Sequence, residues 1–263
     1  MKPSLRRIPL SREISFAVIA YLYLPVIVLA AYSFNANRTA TVWTEFSFNW
    51  YLRILHNPSI QAAALNSLIV ATAATVASTI IGLLAAVGTQ KRFKGRSTLE
   101  GLINSPLILP EIVVAVATLI LFVSVGLGVG LISITIAHIA FCIPFAYLPI
   151  KARLAEMDKH YNEAALDLYA NRFDAFRLIT LPLLWPGILS GATLAFVISL
   201  DDFITSFFLS GPGATTLPVY IFSSIKAGIT PEVNAISTVM VLVSIVLVAL
   251  SFAINRIGKP IRR

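Results

Sequence analysis

Three acidic side chains, Glu111, Asp201 and Asp202, lie inside apolar stretches of this 263-residue chain. A carboxylate near the centre of a membrane helix costs on the order of 2.5–3.5 kcal/mol on insertion scales, so each needs a reason to be there. One reason is chemical: a cationic solute crossing lipid needs anionic partners along its route. The other is structural: an acid can satisfy backbone groups freed by Pro110, or cap a helix end. At about 1.5 Å per helical residue, Glu111 falls near the midplane of its stretch, and Asp201 and Asp202 fall near the outer end of theirs. Adjacent helical positions point about 100° apart, so the two aspartates should not both face one route squarely. One would line it with Glu111. The other would hydrogen-bond a neighbouring helix or reach the outer interface.

Other chemistry is thinly represented. His138 and Cys142 share a helical face at i,i+4, but without acidic companions in sequence they read as core packing rather than metal ligands. His56 and His160 are scattered, and no Ser/His/Asp set has motif support. No GxxxxGK[ST] motif is present, so no P-loop holds ATP here. The chain is therefore not expected to be an enzyme, nor to hold a metal or cofactor of its own. The single Cys leaves no disulfide framework.

The elements that must position the acids are apolar runs. At 57% hydrophobic and 12% charged residues, the chain is too apolar for a soluble domain of this length. Six runs of roughly 20 residues or more can each cross a bilayer: residues 14–34, 62–88, 101–126, 131–150, 183–209 and 233–255. The first, after a basic start, is long for a signal peptide, contains Pro25 and precedes further spans, so it reads as an uncleaved helix. The second is rich in Ala, Ser, Thr and Gly and should face protein more than lipid. Trp43, Trp50 and Tyr51 suit a water–lipid interface, with a short interfacial helix over 48–56. Gly187 and Gly191 give a GxxxG spacing that suits close helix packing. Residues 210–231 read as a Gly/Pro-rich loop whose only charges near its end are Lys226 and Glu232. Asn37-Arg38-Thr39 forms a glycosylation sequon by coincidence.

The Lys/Arg distribution orients these spans. The N-terminus, the 89–98 loop, the 151–182 loop and the C-terminus carry four, four, five and four. The opposite side carries only Arg38, Arg53 and Lys226. This bias puts both termini and the 151–182 segment in the cytoplasm. The basic residues form clusters between apolar runs, without a stripe of interleaved aromatics, which argues against a nucleic-acid partner.

The 151–182 segment is the longest polar interruption. Asp158 or Asn162 can cap a helix running through Leu168, with Glu163 in or near its first turn. Asn171 followed by Asp174 reads as the start of a second short helix, ended by Pro182. Its apolar side offers Leu166, Leu168, Phe173, Phe176 and Leu178. From these residues the segment is either a solvated loop folded back on its own membrane domain or a docking knob for a soluble partner.

Glu163-Ala164-Ala165, followed by Ile179-Thr180-Leu181-Pro182, resembles the EAA loop of binding-protein-dependent ABC importer permeases. That family carries Gly where this chain has Tyr169; a left-handed residue there would cost Tyr about 1–2 kcal/mol more than Gly. Ser199-Leu200-Asp201-Asp202-Phe203, Ser210–Pro218 and Pro231–Ala235 resemble the spermidine/putrescine branch, as do Tyr32–Asn35, Ser105-Pro106 and Pro110-Glu111. The resemblance implies an all-α, six-span type I permease fold, with residues 1–263 forming one transmembrane domain. It implies coupling to an ATPase through Glu163, Ala164, Ala165, Leu168, Tyr169, Phe173, Phe176, Leu181 and Pro182. It also implies a homologous permease partner, two cytoplasmic ATPases carrying ATP and Mg, a periplasmic substrate-binding protein and the bacterial inner membrane. Relatives that serve GABA, opines and other amino compounds widen the solute class. Two rival functions stay open on the residues alone: an ion-gradient-driven carrier of a cationic solute, and a membrane scaffold that moves nothing.

Overall fold

A computed structural model describes residues 11–37, 42–158, 160–228 and 230–257. The basic residues Lys2, Arg6, Arg7, Arg38, Lys159, Lys259, Arg262 and Arg263 lie outside them, as does part of the 37–39 sequon. The chain is helical, in the order α1 (Ser11–Tyr32), α2 (Asn49–His56), α3 (Pro58–Gly88), α4 (Arg96–Asn104), α5 (Glu111–Ser124) and α6 (Leu131–Glu156). There follow α7 (His160–Asp167), α8 (Arg172–Ala175), α9 (Leu181–Asp201), α10 (Ile204–Leu209), α11 (Leu217–Ala227) and α12 (Pro231–Ile257). Among the described residues five helices are long and apolar enough to cross a membrane, and the bent α4–α5 pair supplies a sixth candidate span.

The helices fall into two compact units. One comprises residues 1–57 and 221–242. Here α1 is apolar and exposed on all sides, as a lipid-facing helix is. The turn after it is held by Asn35, whose side chain accepts from the Thr44 N–H at 3.0 Å and donates to the Val42 carbonyl at 2.6 Å. Trp50 is buried beneath this turn, its Nε1–H donating to the Asn35 carbonyl at 2.7 Å. Its ring is therefore turned into the protein rather than toward lipid. Lys226 and Glu232, the charges near the end of the 210–231 stretch, are engaged within this unit: Lys226 Nζ lies 4.6 Å from the Phe222 ring centroid, and Glu232 accepts from Asn57 at 3.2 Å.

The other unit comprises residues 58–220 and 243–263, and its centre is α3, α6 and α9 packed on one another. Small residues set their spacing. A Cβ on Gly191 would lie 2.6 Å from the Ala146 carbonyl oxygen, and one on Gly187 would lie 2.7 Å from Arg153 Cβ. The GxxxG pair of α9 is thus pressed onto α6. Helix α3 buries Ala63, Ser67, Ala71, Ala74, Ser78 and Gly82 on one face, but leaves Leu68, Ile69, Val76 and Ile80 exposed on the other. The stripe of α3 that meets protein is made mostly of small residues.

Four expectations need correcting. Residues 101–126 are not one straight span: α4 and α5 meet at 104°. Pro106 tightens the chain into a 3₁₀ turn, and Pro110 takes an extended ψ of 129° just before α5. Residues 183–209 are also interrupted, because α9 ends at Asp201 and Asp202 is extended at φ −65°, ψ 122° before α10 begins. Pro182 ends nothing: helix continues from α8 through a π turn, Phe176–Thr180, into α9. The wide turn makes room for a ring that would otherwise strike the carbonyl four residues back. Finally, residues 210–231 contain the helix α11 rather than loop alone.

Candidate functional site

Both helix breaks open onto one cavity of about 600 Å³. Its walls include Glu111 at the start of α5, Asp201 and Asp202 at the α9–α10 break, and the aromatic rings Phe141, Phe145 and Phe203. The three acids predicted from their cost in lipid are therefore brought together. They meet for a reason that counting along continuous helices misses. Glu111 is the first residue of a helix that restarts after a sharp bend, so its depth does not follow from its distance to the start of the run. Asp201 and Asp202 straddle the end of a helix, so the 100° rule does not govern them.

The three carboxyls have different surroundings. The Asp202 side chain is only 1% exposed. Its Oδ2 lies 3.0 Å from His138 Nε2 and accepts from the Ser206 N–H at 2.9 Å, while Oδ1 takes the Thr205 N–H at 3.4 Å. It thus caps the first turn of α10 and ties that turn to α6. Glu111 is exposed and lines the same cavity as Asp202. Asp201 is exposed and accepts from Ser244 of α12 at 3.4 Å. So the structural and chemical roles divide among the acids: Asp202 is bound into the frame, whereas Asp201 and Glu111 stand on the cavity wall.

His138 is the residue that sequence reasoning underrated. It is fully buried, and its Nδ1 meets Ser199 Oγ at 2.7 Å. Its companion is acidic after all, but lies at the α9–α10 break rather than one turn away. Cys142 packs separately, its thiol 3.5 Å from the Ala195 carbonyl. The signal that could have found His138 is its ionisable ring inside an apolar span, which calls for a partner just as the carboxylates do.

The 151–182 segment forms an elbow. Helix α6 runs to Glu156, and Asp158 accepts from the His160 N–H at 3.1 Å to start α7. The side chains of Asn162 and Leu166 lie outside the described ones. Tyr169 closes α7 in the left-handed conformation, φ 61°, the one non-glycine among the described residues to do so. The Ala170 N–H bonds back to the Ala165 carbonyl at 3.1 Å, the six-to-one bond of a Schellman ending. Asn171 then accepts from the Asp174 N–H at 2.9 Å, capping α8 as its spacing predicts. Ala165 is buried, while Glu163 and Ala164 are exposed. Leu168, Tyr169 and Phe173 are 81%, 99% and 67% exposed. Phe176 and Leu181 are half-buried and Pro182 is exposed.

Comparison with known proteins places this geometry in a class. The family model for the inner membrane component of binding-protein-dependent transport systems matches residues 78–260, and the chain belongs to that family. It is 43% identical to the spermidine/putrescine transport system permease protein PotC of Haemophilus influenzae, over 92% of this chain and 94% of the relative. It is 39% identical to the putrescine transport system permease protein PotI of Escherichia coli, over 84% and 81% of the two chains. Among solved structures, a permease fold is shared with a bacterial ABC transporter that imports the acidic polysaccharide alginate, at a TM-score of 0.66 and 17% identity over 92% and 94% of the chains. The MetNI methionine ABC transporter in an inward-facing conformation gives 0.65 at 18% identity, over 82% and 100%. The fold is that of type I ABC importer permeases, and the chain is a multi-pass membrane protein.

Proposed function

We propose that this chain is the permease subunit of an ATP-driven importer that carries polyamines, or closely related amino compounds, across the bacterial inner membrane. The observation that carries the reading is the cavity where Glu111 and Asp201 stand beside Phe141, Phe145 and Phe203. Carboxylates pair with ammonium groups, and aromatic faces attract them further. The 43% identity to a spermidine/putrescine permease supports the same solute class.

The whole chain acts as one transmembrane permease domain, with the 151–182 elbow as its coupling loop and both termini in the cytoplasm. A homologous permease completes the pathway. Two cytoplasmic ATPases bind ATP and Mg, and a periplasmic substrate-binding protein delivers the solute. The exposed Leu168, Tyr169 and Phe173 offer an apolar surface on an otherwise polar elbow, which suits insertion into a groove of the ATPase. Their exposure favours a docking role over a loop folded back on its own membrane domain. Because α8 runs without a stop into α9, a push on the elbow is delivered to the helix that ends at Asp201 and Asp202. Closure of the ATPases on ATP draws the elbows together and opens the cavity outward; hydrolysis resets it.

The test is uptake of labelled putrescine and spermidine by membrane vesicles holding the assembled importer and its receptor. The reading predicts uptake that needs ATP and survives collapse of the proton gradient. Uptake that persists without ATP and fails with the gradient would assign the chain to secondary transport. Assembly with ATPases but no solute-stimulated ATP hydrolysis would make it a scaffold.

A further inference from the structure

We propose that a basic pocket at the elbow end of the bundle binds the phosphate of an anionic phospholipid headgroup. The pocket, about 190 Å³, lies where α3, α4 and α6 meet, and it shares no lining residue with the acidic cavity. One wall is charged, with Arg96 and Lys151; the other is apolar and includes Ala86, Leu154, Ala155 and Met157. Arg96 Nε donates to Glu100 Oε1 at 2.8 Å, and Lys151 Nζ reaches the same oxygen at 2.9 Å. Lys151 is also held over the ring of Tyr147, 5.1 Å from its centroid. That ring is itself fixed: it is fully buried, and its hydroxyl meets Thr89 Oγ1 at 3.1 Å. The two cations are therefore set in place before any ligand arrives. At 33% and 32% side-chain exposure they remain reachable.

The chemistry matches phosphate carried on a lipid. Two cations against one carboxylate leave a positive charge on this wall. Among the described residues Arg96 uses only Nε, so its two terminal nitrogens can fork onto phosphate oxygens, and the Lys151 ammonium brings three donors. Lys91, Arg92 and Lys94 stand exposed on the loop between Gln90 and Arg96 and add to the attraction. The carboxylate of Glu156, at the same end of α6, is taken up by Arg153 at 3.5 Å. The depth fits as well. Apolar α3 ends at Gly88, just before Thr89 and Gln90 of the pocket, and Lys151 is the first Lys, Arg, Asp or Glu along α6. This is headgroup level, where basic pockets between membrane helices take anionic lipid heads. A free phosphate offers the same oxygens but leaves the apolar wall wet, whereas a lipid's glycerol and first methylenes cover it. The site needs only a chain seated in a membrane and is independent of the solute carried.

The purified, assembled importer, freed of bound lipid, is titrated with phosphatidylglycerol, and native mass spectrometry reads the affinity of the first lipid bound. A Lys or Arg beside an anionic headgroup is worth about fivefold in affinity, so Lys151→Gln and Arg96→Gln should each weaken binding by about that factor. Arg92→Gln removes a solvent-screened charge off the pocket and should weaken it by under about twofold. Ala155→Phe keeps every charge but fills the pocket, and should weaken binding by about fivefold or more. Phosphatidylcholine, whose own choline offsets its phosphate, should bind wild type at least about fivefold more weakly than phosphatidylglycerol. Equal affinity for the two lipids, or equal loss from Arg92→Gln and Lys151→Gln, would overturn the proposal. Displacement of phosphatidylglycerol by excess inorganic phosphate would also overturn it, by assigning the pocket to a free anion. If the Lys151 and Arg96 variants do not assemble, Ala155→Phe decides alone: wild-type phosphatidylglycerol binding by that variant would contradict the proposal.

Discussion

Tyr169 is held at φ 61° and is 99% exposed, so it bears the cost of a left-handed backbone with its ring turned to solvent. Left-handed backbone costs an L-residue roughly 1–2 kcal/mol, while glycine gives back roughly 0.5–1 kcal/mol through its freer unfolded chain. Tyr169→Gly should therefore stabilise the elbow turn by about 1 kcal/mol, which is about a fivefold change in its opening equilibrium. The assay is amide hydrogen exchange at Ala170, whose N–H closes the turn onto the Ala165 carbonyl. Exchange should slow about fivefold in Tyr169→Gly and stay within about twofold of wild type in Tyr169→Ala, which keeps the Cβ and loses the ring. Both variants should lose solute-stimulated ATP hydrolysis if the exposed ring seats in the ATPase. Unchanged or faster exchange in the glycine variant would refute the left-handed turn. Full coupling in both would refute the docking role of the ring.

Further outcomes follow from the packing. Gly191→Ala, with its Cβ 2.6 Å from the Ala146 carbonyl oxygen, should destabilise the α6–α9 contact by roughly 1–3 kcal/mol, read as a lowered thermal unfolding midpoint of the purified importer. Asn171→Ala removes the side chain that accepts from the Asp174 N–H and should cost about 1 kcal/mol in the elbow, seen as faster exchange at the Asp174 amide. Trp50→Phe loses the bond to the Asn35 carbonyl and should cost roughly 0.5–1.5 kcal/mol, measured by thermal unfolding.

Most of the span count and the elbow's caps were legible in the sequence because they depend on local properties. Apolar run length sets the helices, and Asp158 and Asn171 bond to backbone only two or three residues away. The departure at Tyr169 was legible too, since one position in the EAA pattern asks for φ that tyrosine resists. What escaped was decided across helices or by backbone breaks. Pro106 and Pro110 announced a disturbance but not a bend of 104°. Pro182 announced a stop, yet one widened π turn let the helix pass. At Asp202 no proline or glycine marks the break, because the carboxylate itself caps the new helix. His138 finds Asp202 64 residues further along the chain, a pairing that no periodicity encodes.

The account stands or falls on whether the cavity acids handle the solute. The direct measurement is ATP-dependent putrescine uptake by vesicles holding the complete importer with Glu111→Gln or Asp201→Asn, with assembly and basal ATP hydrolysis checked alongside. A hydrogen bond or ion pair to a charged group contributes roughly 1.5–3 kcal/mol, so each variant should lose about tenfold or more in uptake while assembling normally. Uptake at the wild-type rate by both variants would contradict the account.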